Sequence, residues 1–408
     1  MKRRILAFGP GIFLIGYNIG TGSVTTMAAS GSRYGMGLFW ALVLSCIFTF
    51  VMLVAYGRFT LVTGTTALSA YRKQFGKSLT IFIMIGLILG EIAALMGITG
   101  IVVNMINEWL SFAFGTAVNQ IFLTAVLVAG LFALFWFGEY KRFEKLLIIF
   151  VALMGVGFIT SMILVIPSLG DIVRGLVPSI PDEENANLIA AGMAGTTLSA
   201  VVFIMRSIVV QEKGWQDTDL KQERRDAFVS ATLMLVLSAA VMAAAAGTLF
   251  VQNIPVDRAI DMVKTLEPIA GPFAITLFVL GIVSAGLSTV FPIILIAPWL
   301  ISDYTGKPRN IRSPMYRVLA GAALLLAFVV PVFGGRPVFL MIASQAFQAL
   351  LMPMVALGII LLINRTSLVG NEKPSLLMNL GCWATFLFSL VMAYSGFIGL
   401  IDMISQAT

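Results

Sequence analysis

The chain has 408 residues, of which 59% are apolar and only 11% are charged. Soluble proteins have about 45 to 50% apolar and about 25% charged residues, so this composition indicates a chain embedded mostly in lipid. It excludes a soluble enzyme or a DNA-binding domain. The formal net charge is +7. Because membrane proteins collect Lys and Arg in cytoplasmic loops, we assign this charge to loops and expect no nucleic acid partner.

Residue types that often carry chemistry are scarce. The chain contains no His, and its two Cys residues, Cys46 and Cys382, lie inside apolar runs. Imidazole is therefore excluded as a metal ligand or proton relay, and a disulfide scaffold or Cys-rich metal site is excluded as well. The sequence also lacks a zinc-protease motif, a phosphate-binding Gly loop and an intramembrane protease pattern. We therefore predict that the protein is not an enzyme and needs no cofactor.

Eleven apolar stretches are long enough to cross a bilayer, which takes about 20 residues. In chain order they are residues 5–31, 36–57, 79–107, 116–138, 146–167, 188–211, 227–251, 269–301, 317–333, 338–363 and 376–401. The polar segments between them are too short to form a soluble domain. The sequence thus predicts an all-α, polytopic membrane protein with 11 transmembrane helices in one domain, residues 1–408.

The distribution of Lys and Arg predicts the orientation of these spans. With the N-terminus inside, 20 of the 26 basic residues fall in cytoplasmic segments, five fall in outer segments and Arg206 falls within a span. Basic residues stay preferentially on the cytoplasmic side, and a wrong span count would invert every later loop. We therefore predict a protein of the plasma (inner) membrane with a cytoplasmic N-terminus and an external C-terminus.

This orientation indicates an internal repeat. The first span runs outward and the sixth runs inward, so five helices followed by five more form an inverted repeat. Repeat one covers about residues 5–167, repeat two about residues 188–363, and an additional helix about residues 376–401. In transporters built this way, the substrate binds where one helix of each repeat is interrupted near the middle of the membrane.

Two spans carry the residues expected at such interruptions. The first contains Gly20-Thr21-Gly22-Ser23, and the sixth contains Gly and hydroxyl residues over 192–199. Gly and Ser also allow close helix packing, and one such run alone is more typical of a packing face than of a site. Their occurrence in the first and sixth spans, which the repeat would pair, favours a binding site with backbone carbonyls exposed at Gly20 and Thr196.

Ionisable residues within the spans are few. Glu91 is the carboxylate deepest in the third span, and Arg206 is the base within the sixth. Because buried charges are costly in lipid, each is a candidate for coupling or gating. A structural ion pair between the two, or an Arg206 side chain that reaches the inner interface, explains them equally well. Gln345 and Gln348 add amides to the tenth span, where they either bind substrate or bond helices together.

The chain resembles the Nramp family of divalent metal transporters. The resemblance extends over most of the chain in order and span count, and it rests on these segments: Gly9-Pro10-Gly11, residues 28–35, Leu38-Phe39-Trp40, Val62-Thr63-Gly64, Gly195, residues 207–211, Ser344-Gln345 and Leu351-Met352-Pro353. It implies a LeuT-like fold with helices 1 and 6 unwound at the metal site. A metal ion would then be the transported substrate.

The sequence departs from the family at the expected metal ligands. The Asp and Asn of the family's Asp-Pro-Gly-Asn motif correspond to Gly20 and Ser23. The family's Met-Pro-His stretch falls on residues 199–201, so Ser199 replaces the thioether ligand, and a second His corresponds to Arg206. Of the carboxylate pair in the third span only Glu91 is kept. The resemblance therefore does not carry over the family's proton coupling.

The remaining ligands narrow the choice of substrate. Our candidate metal-binding set is Gly20, Ser23, Thr196, Ser199 and Gln345, with Thr21 as a further substrate contact. These oxygens suit hard cations and carry no formal negative charge, so stripping a divalent ion of water there would be costly. The set favours hydrated Mg²⁺ or Mn²⁺ over tightly bound Fe²⁺.

Three functions follow as hypotheses. The first is a secondary transporter that moves a divalent cation by alternating access. In the second, the same fold carries a small organic solute or an anion, because helix N-termini and Arg206 favour negative groups. The third is a sensor that does not transport. The sequence gives no signal for the oligomeric state.

Overall fold

The computed structural model describes residues 20–138, 140–215 and 217–407, and every regular element in these ranges is helical. Ten of the described helices are long and apolar enough to cross a membrane. We number the main helices as α1 Thr21–Tyr34, α2 Phe39–Thr63, α3 Lys77–Phe114, α4 Gln120–Phe137, α5 Tyr140–Leu164, α6a Ala186–Thr197, α6b Ala200–Lys213, α7 Leu220–Thr248, α8 Ala274–Thr305, α9 Pro314–Leu325, α10 Pro337–Ile363 and α11 Leu376–Ala407.

These helices confirm the predicted all-α membrane fold. Residues 5–19 of the first predicted span lie outside the described residues, and α1 is the remainder of that span. The third helix is longer than the predicted span 79–107, because Lys77 and Ser78 at one end and residues 108–114 at the other continue the helix. The ninth span continues beyond α9 through a 3-10 turn into Val329–Phe333. Short helices in the connections are Ala67–Gln74, Leu169–Arg174, Glu267–Ala270 and Thr366–Val369.

Glycine ends several of the long helices. Gly214 after α6b and Gly306 after α8 both have positive φ angles, 67° and 71°. Glycine adopts this left-handed conformation without the steric cost that a Cβ atom brings, and it turns the chain out of the helix. These two turns place the charged segments that follow at one polar end of the bundle.

The helices differ in how much surface they bury. In the most apolar 18-residue stretch of the sixth span, which includes α6a and α6b, 94% of the residues are buried. The corresponding share in α4 is only 17%. Helix α10 packs against α3, α6a and α11, while α1 packs chiefly against α7. Helices α8 and α10 are 78% and 72% buried and almost all of α1 is buried, so α1, α6, α8 and α10 form the centre. Helix α4 presents apolar side chains such as Phe122 and Phe137 to lipid.

Polar contacts at the two ends of the bundle join loops that the sequence places on the same side. The predicted cytoplasmic end contains the pairs Gln211–Gly64, Thr66–Asp303 and Arg309–Glu212. The predicted outer end contains the pairs Arg33–Asp257, Tyr34–Glu184 and Trp40–Ser179. Two loops lie on the same side only if an even number of spans separates them. The contacts agree with the predicted spans, because an even number of them lies between the partners in each pair.

Candidate functional site at the break in helix 6

The sixth span is interrupted where the sequence predicts. Helix α6a ends at Thr197, Leu198 has φ −99° and ψ 57°, and Ser199 is extended before α6b begins. No Pro stands here. Thr and Ser side chains compete with the helical backbone for hydrogen bonds, which explains why a run of hydroxyl residues ends the helix. The carbonyl oxygen of Thr197, freed by the break, accepts a hydrogen bond of 2.8 Å from the Thr49 hydroxyl on α2.

The first span faces this break with a helix start. Helix α1 begins at Thr21, and Gly20 before it has an extended backbone with φ −87° and ψ −178°. A Cβ atom at Gly20 would overlap the hydroxyl of Thr289 on α8. The space that a larger residue would need at position 20 is therefore filled by a hydroxyl from another helix. This explains in physical terms why Gly stands at position 20.

A cavity of about 30 Å³ lies between the start of α1 and the break in α6. Among the described residues, helices α3, α8 and α10 also contribute to its walls. The lining residues are Gly22, Ser23, Glu91, Ala94, Ile98, Gly195, Thr196, Ser199, Thr289, Ile293, Met341, Gln345 and Gln348. A water molecule needs roughly 10 to 15 Å³ of such space, so the cavity has room for about two waters or for one ion with little hydration.

A chain of hydrogen bonds crosses the cavity from α6 to α3. The Ser199 hydroxyl donates to Gln348 Oε1 across 3.2 Å, and Gln348 Nε2 donates to Glu91 Oε1 across 2.6 Å. All three side chains are buried. The Gln348–Glu91 bond is the shorter of the two. The amide of Gln348 therefore links the carboxylate to the break.

Two further contacts position α1 and α10 around the cavity. The Ser23 hydroxyl lies 3.1 Å from the Ser238 hydroxyl on α7, and Thr26 donates to Gln345 Oε1 across 3.4 Å. A Cβ atom at Gly22 would overlap the Gln345 amide and the end of Met341. Gly22 therefore allows these two α10 side chains to reach the cavity.

The structure brings together most of the predicted site residues. Ser23, Thr196, Ser199 and Gln345 line the same cavity. Gly20 and Thr21 lie beside it at the start of α1: the Gly20 carbonyl accepts from the Val24 amide, and the Thr21 hydroxyl donates to the Ile282 carbonyl on α8.

The sequence-based view of the two buried charges requires correction. Arg206 and Glu91 do not form the ion pair that was one expectation. Arg206 instead binds Glu223 at 2.9 Å and Asp226 at 2.5 Å, both on α7. These carboxylates lie at the start of α7, just after the connection that follows α6b, and there they meet Arg206. Glu91 lines the cavity, so a site expected to carry no negative charge contains one carboxylate.

Sequence reasoning missed the part that Gln348, Thr289 and Met341 play in the cavity. Met341, Gln345 and Gln348 are spaced four and three residues apart on α10, which puts them on one helix face. That spacing, together with two amides in an apolar span, was the available signal for Gln348 and Met341. Thr289 carried no signal beyond being a hydroxyl in an apolar helix.

The site has the chemistry of a cation-binding cavity with oxygen donors. Its lining includes four hydroxyl residues, two amides, one carboxylate and the thioether of Met341. Among the described residues, no group of three Asp, Glu, Cys or His side chains converges on one point. The carbonyl end of α6a favours a cation, and the amide ends of α1 and α6b, which border the same cavity, favour negative charge.

Together, the fold and the site define a class. A bundle of apolar helices with a broken helix, a second helix starting opposite the break and a polar cavity between them is typical of secondary transporters with a LeuT-like fold. The chain is therefore an integral membrane transporter.

Comparison with known structures agrees with this class. The structure of the Eremococcus coleocola manganese transporter in complex with an aromatic bis-isothiourea substituted compound superposes with a TM-score of 0.73 at 16% identity, over 97% of this chain and 86% of that one. Mhp1, a nucleobase-cation-symport-1 family transporter, gives a TM-score of 0.61 at 15% identity, over 97% and 90%. At these identities the likeness shows a shared fold.

The chain belongs to the natural resistance-associated macrophage protein-like (Nramp) family, whose profile matches residues 11–399. It is 24% identical to the divalent metal cation transporter MntH of Deinococcus radiodurans over 90% of this chain and 84% of that protein. It is 25% identical to MntH of a Nostoc species over 93% and 88%. Family membership confirms the resemblance seen in the sequence. It makes the chain a transporter and not an enzyme, with no cofactor.

Proposed function

We propose that the protein transports a divalent metal cation through the cavity at the break in α6. The observation that carries this proposal is the oxygen-lined cavity between Ser23 on α1 and Ser199 at the break, with Glu91 in its wall. Membership of the Nramp family supports the same substrate class, as do the MntH relatives, named as divalent metal cation transporters.

The donor set favours Mg²⁺ or Mn²⁺ as the cargo. Hydroxyl, amide and carboxylate oxygens are the ligands that hard cations prefer. A cavity of about 30 Å³ cannot hold an ion with a full shell of six waters. In this conformation the ion must exchange most of its water for protein oxygens, and a wider cavity is needed for a fully hydrated ion to enter.

Transport by alternating access accounts for the broken helix. Two short half-helices joined at Leu198 and Ser199 can tilt separately, whereas one continuous helix would have to move as a rod. At the predicted cytoplasmic end, Arg309 binds Glu212 at 2.5 Å and Asp303 at 2.6 Å. These ion pairs tie the end of α6b to the end of α8. We propose that they form an inner gate, closed in this conformation.

Packing between helices supports the proposed inverted repeat of about residues 5–167 and 188–363. Helix α3 packs on α10 as α8 packs on α5, and α1 packs on α7 as α6b packs on α2. The repeat relates helix 1 to helix 6, helix 2 to helix 7, helix 3 to helix 8 and helix 5 to helix 10. Applied to the first pair of each comparison, it gives the second pair. We propose on this basis that residues 1–408 form one transporter domain, with α11 as the additional helix.

We propose a cytoplasmic N-terminus and an external C-terminus in the plasma (inner) membrane. The excess of 20 basic residues over five on the predicted cytoplasmic side supports this orientation. Arg309, Arg58 and Arg72 lie at the same end of the bundle as the proposed inner gate. A single Cys introduced at Ser179 should react with a reagent added outside intact cells, and one at Lys221 should not.

The organic-solute or anion alternative is not favoured. It depended on Arg206 near the site, yet Arg206 is fully buried against Glu223 and Asp226 and is absent from the cavity lining. A carboxylate in the cavity opposes anion binding further.

Uptake into liposomes containing the purified protein tests the function. We expect protein-dependent accumulation of Mn²⁺ and Mg²⁺, reduced in Ser199→Ala and Ser23→Ala. Protein-free liposomes are the control for leakage. Uptake of an amino acid or anion without metal dependence would replace the proposal with the solute alternative, and no flux of any cargo by folded protein would indicate a sensor.

A further inference from the structure

Glu91 holds an unusual position in the cavity. It is the single ionisable side chain among the described lining residues, and it is only 2% exposed. It comes from α3 and not from α6, the helix that is interrupted. Its Oε1 atom accepts the 2.6 Å hydrogen bond from Gln348, whose own amide oxygen binds Ser199. The carboxylate is therefore part of the cavity wall and is connected to the residue at the break.

A divalent cation in this cavity needs a negative charge nearby. The cavity is too small to leave the ion its water shell, and neutral oxygens return little of the lost hydration energy. A carboxylate within a few ångströms returns much more, because charges interact strongly where water is excluded. Neither α1 nor α6 provides an acidic residue to the cavity lining, so among the described lining residues Glu91 alone meets this requirement.

The described residues around the cavity add no basic side chain to its lining. Arg206, the base within the sixth span, forms ion pairs with Glu223 and Asp226 and does not line the cavity. The amide ends of α1 and α6b border the cavity, and helix N-termini stabilise negative charge. Arg206 therefore does not neutralise the cavity, and the helix ends suit a wall that contains a carboxylate.

We infer that Glu91 is a ligand of the transported cation and supplies the negative charge of the substrate site from α3. This inference rests on the proposed function and names the residue that makes the site specific for cations. Gln348 is the positioning residue, because it holds Oε1 of the carboxylate in the cavity wall. Gly90 permits this arrangement, since a Cβ atom there would lie 2.8 Å from Gln348 Cγ.

Binding of Mn²⁺ to the purified full chain tests the inference, with free Mn²⁺ followed by its electron paramagnetic resonance signal. Glu91→Gln removes the charge and keeps an oxygen that can accept from Gln348. We expect its Kd for Mn²⁺ to rise about tenfold or more, because one charge–charge interaction is lost in a site with little water. Glu108→Gln is the matched control, because Glu108 is an exposed carboxylate on the same helix, and it should bind as the wild type does.

The outcomes separate this inference from the proposed function. If the wild type binds neither Mn²⁺ nor Mg²⁺, the proposed function fails and the inference fails with it. If the wild type binds and Glu91→Gln binds equally well, only the inference is overturned, and a change confined to transport would then assign Glu91 to coupling. Melting temperature and gel filtration verify folding.

A second variant covers the case in which Glu91→Gln does not fold. Glu91→Asp keeps the charge but withdraws the carboxylate by one methylene, so a coordinating oxygen no longer reaches the ion. We expect its Kd to rise about threefold or more, since ligand geometry is strict around small divalent ions. An affinity equal to that of the wild type would overturn the inference.

Discussion

Arg206 and Glu223 form an ion pair of 2.9 Å in which both side chains are almost completely buried. Gly57 on α2 faces the pair, and a Cβ atom there would overlap the Glu223 carboxylate. The pair joins α6b to α7 beneath the break in α6. Since Asp226 binds the same guanidinium, three charged groups meet at this point.

Arg206→Met should destabilise the protein strongly. It leaves the buried Glu223 carboxylate without its countercharge, which typically costs about 3 to 5 kcal/mol. The double variant Arg206→Met/Glu223→Gln should recover much of this loss, because the uncompensated charge is removed. Melting temperatures in detergent measure both effects, with Arg225→Met, an exposed residue on α7, as the control. An unchanged melting temperature in Arg206→Met would show that the pair does not hold α6b to α7.

Gly195→Ala should disrupt the packing of α6a on α10. A Cβ atom at residue 195 would overlap the backbone carbonyl of Gln345, and a rigid backbone cannot move aside as a side chain can. Overpacking of this kind costs about 1 to 3 kcal/mol. Gly130→Ala on α4 is the matched control, since a Cβ there meets nothing within 4 Å. We expect a lower melting temperature and weaker Mn²⁺ binding only in Gly195→Ala; equal behaviour of the two would contradict the close approach.

Met341→Leu should change metal selectivity more than overall transport. Met341 brings a thioether into the cavity, and thioethers bind soft metals better than hard ones. We expect Cd²⁺ to lose its ability to compete with Mn²⁺ uptake, while Mg²⁺ uptake stays close to that of the wild type, because Leu keeps the volume. Competition assays in liposomes measure this. If Cd²⁺ competes equally in both proteins, the sulfur of Met341 does not reach the ion.

Arg309→Gln should open the proposed inner gate. It removes the ion pairs with Glu212 and with the buried Asp303, which join α6b to α8. In a background without Cys46 and Cys382, a Cys introduced at the buried Ser207 reports access from the cytoplasmic side. We expect its labelling rate to rise about fivefold or more, in line with a population shift of about 1 kcal/mol. Arg312→Gln, an exposed residue of the same connection, is the control, and equal rates in both variants would argue against a gate.

The fold could be predicted to a large extent because lipid imposes strong rules on sequence. Every span must be apolar and helical, so hydropathy located the helices. The Lys and Arg distribution then predicted which loops lie on the same side of the membrane. The contacts Arg309–Glu212 and Arg33–Asp257 each join two loops that this prediction places on one side. The break at residues 198–199 was also predictable, because its hydroxyl residues are typical of an interrupted helix.

The composition of the cavity could be predicted only in part. Ser23, Ser199 and Gln345 followed from their spans, but the approach of Glu91 depends on how α3 is rotated against α10. That rotation is set by close contacts such as those of Gly86 with Leu351 and of Gly90 with Gln348, which a linear sequence does not reveal. The partner of Arg206 was missed for the same reason: a buried charge selects its partner by packing and not by distance along the chain.

Anomalous X-ray diffraction from crystals soaked with Mn²⁺ tests the central claim most directly. The account predicts one peak inside the cavity, about 2.1 to 2.5 Å from oxygens of Glu91 and of Ser199 or Gln345. It also predicts that α6 stays interrupted at Leu198 and Ser199 around the bound ion. A Mn²⁺ peak elsewhere in the bundle, or a continuous α6 that seals the cavity, would contradict it.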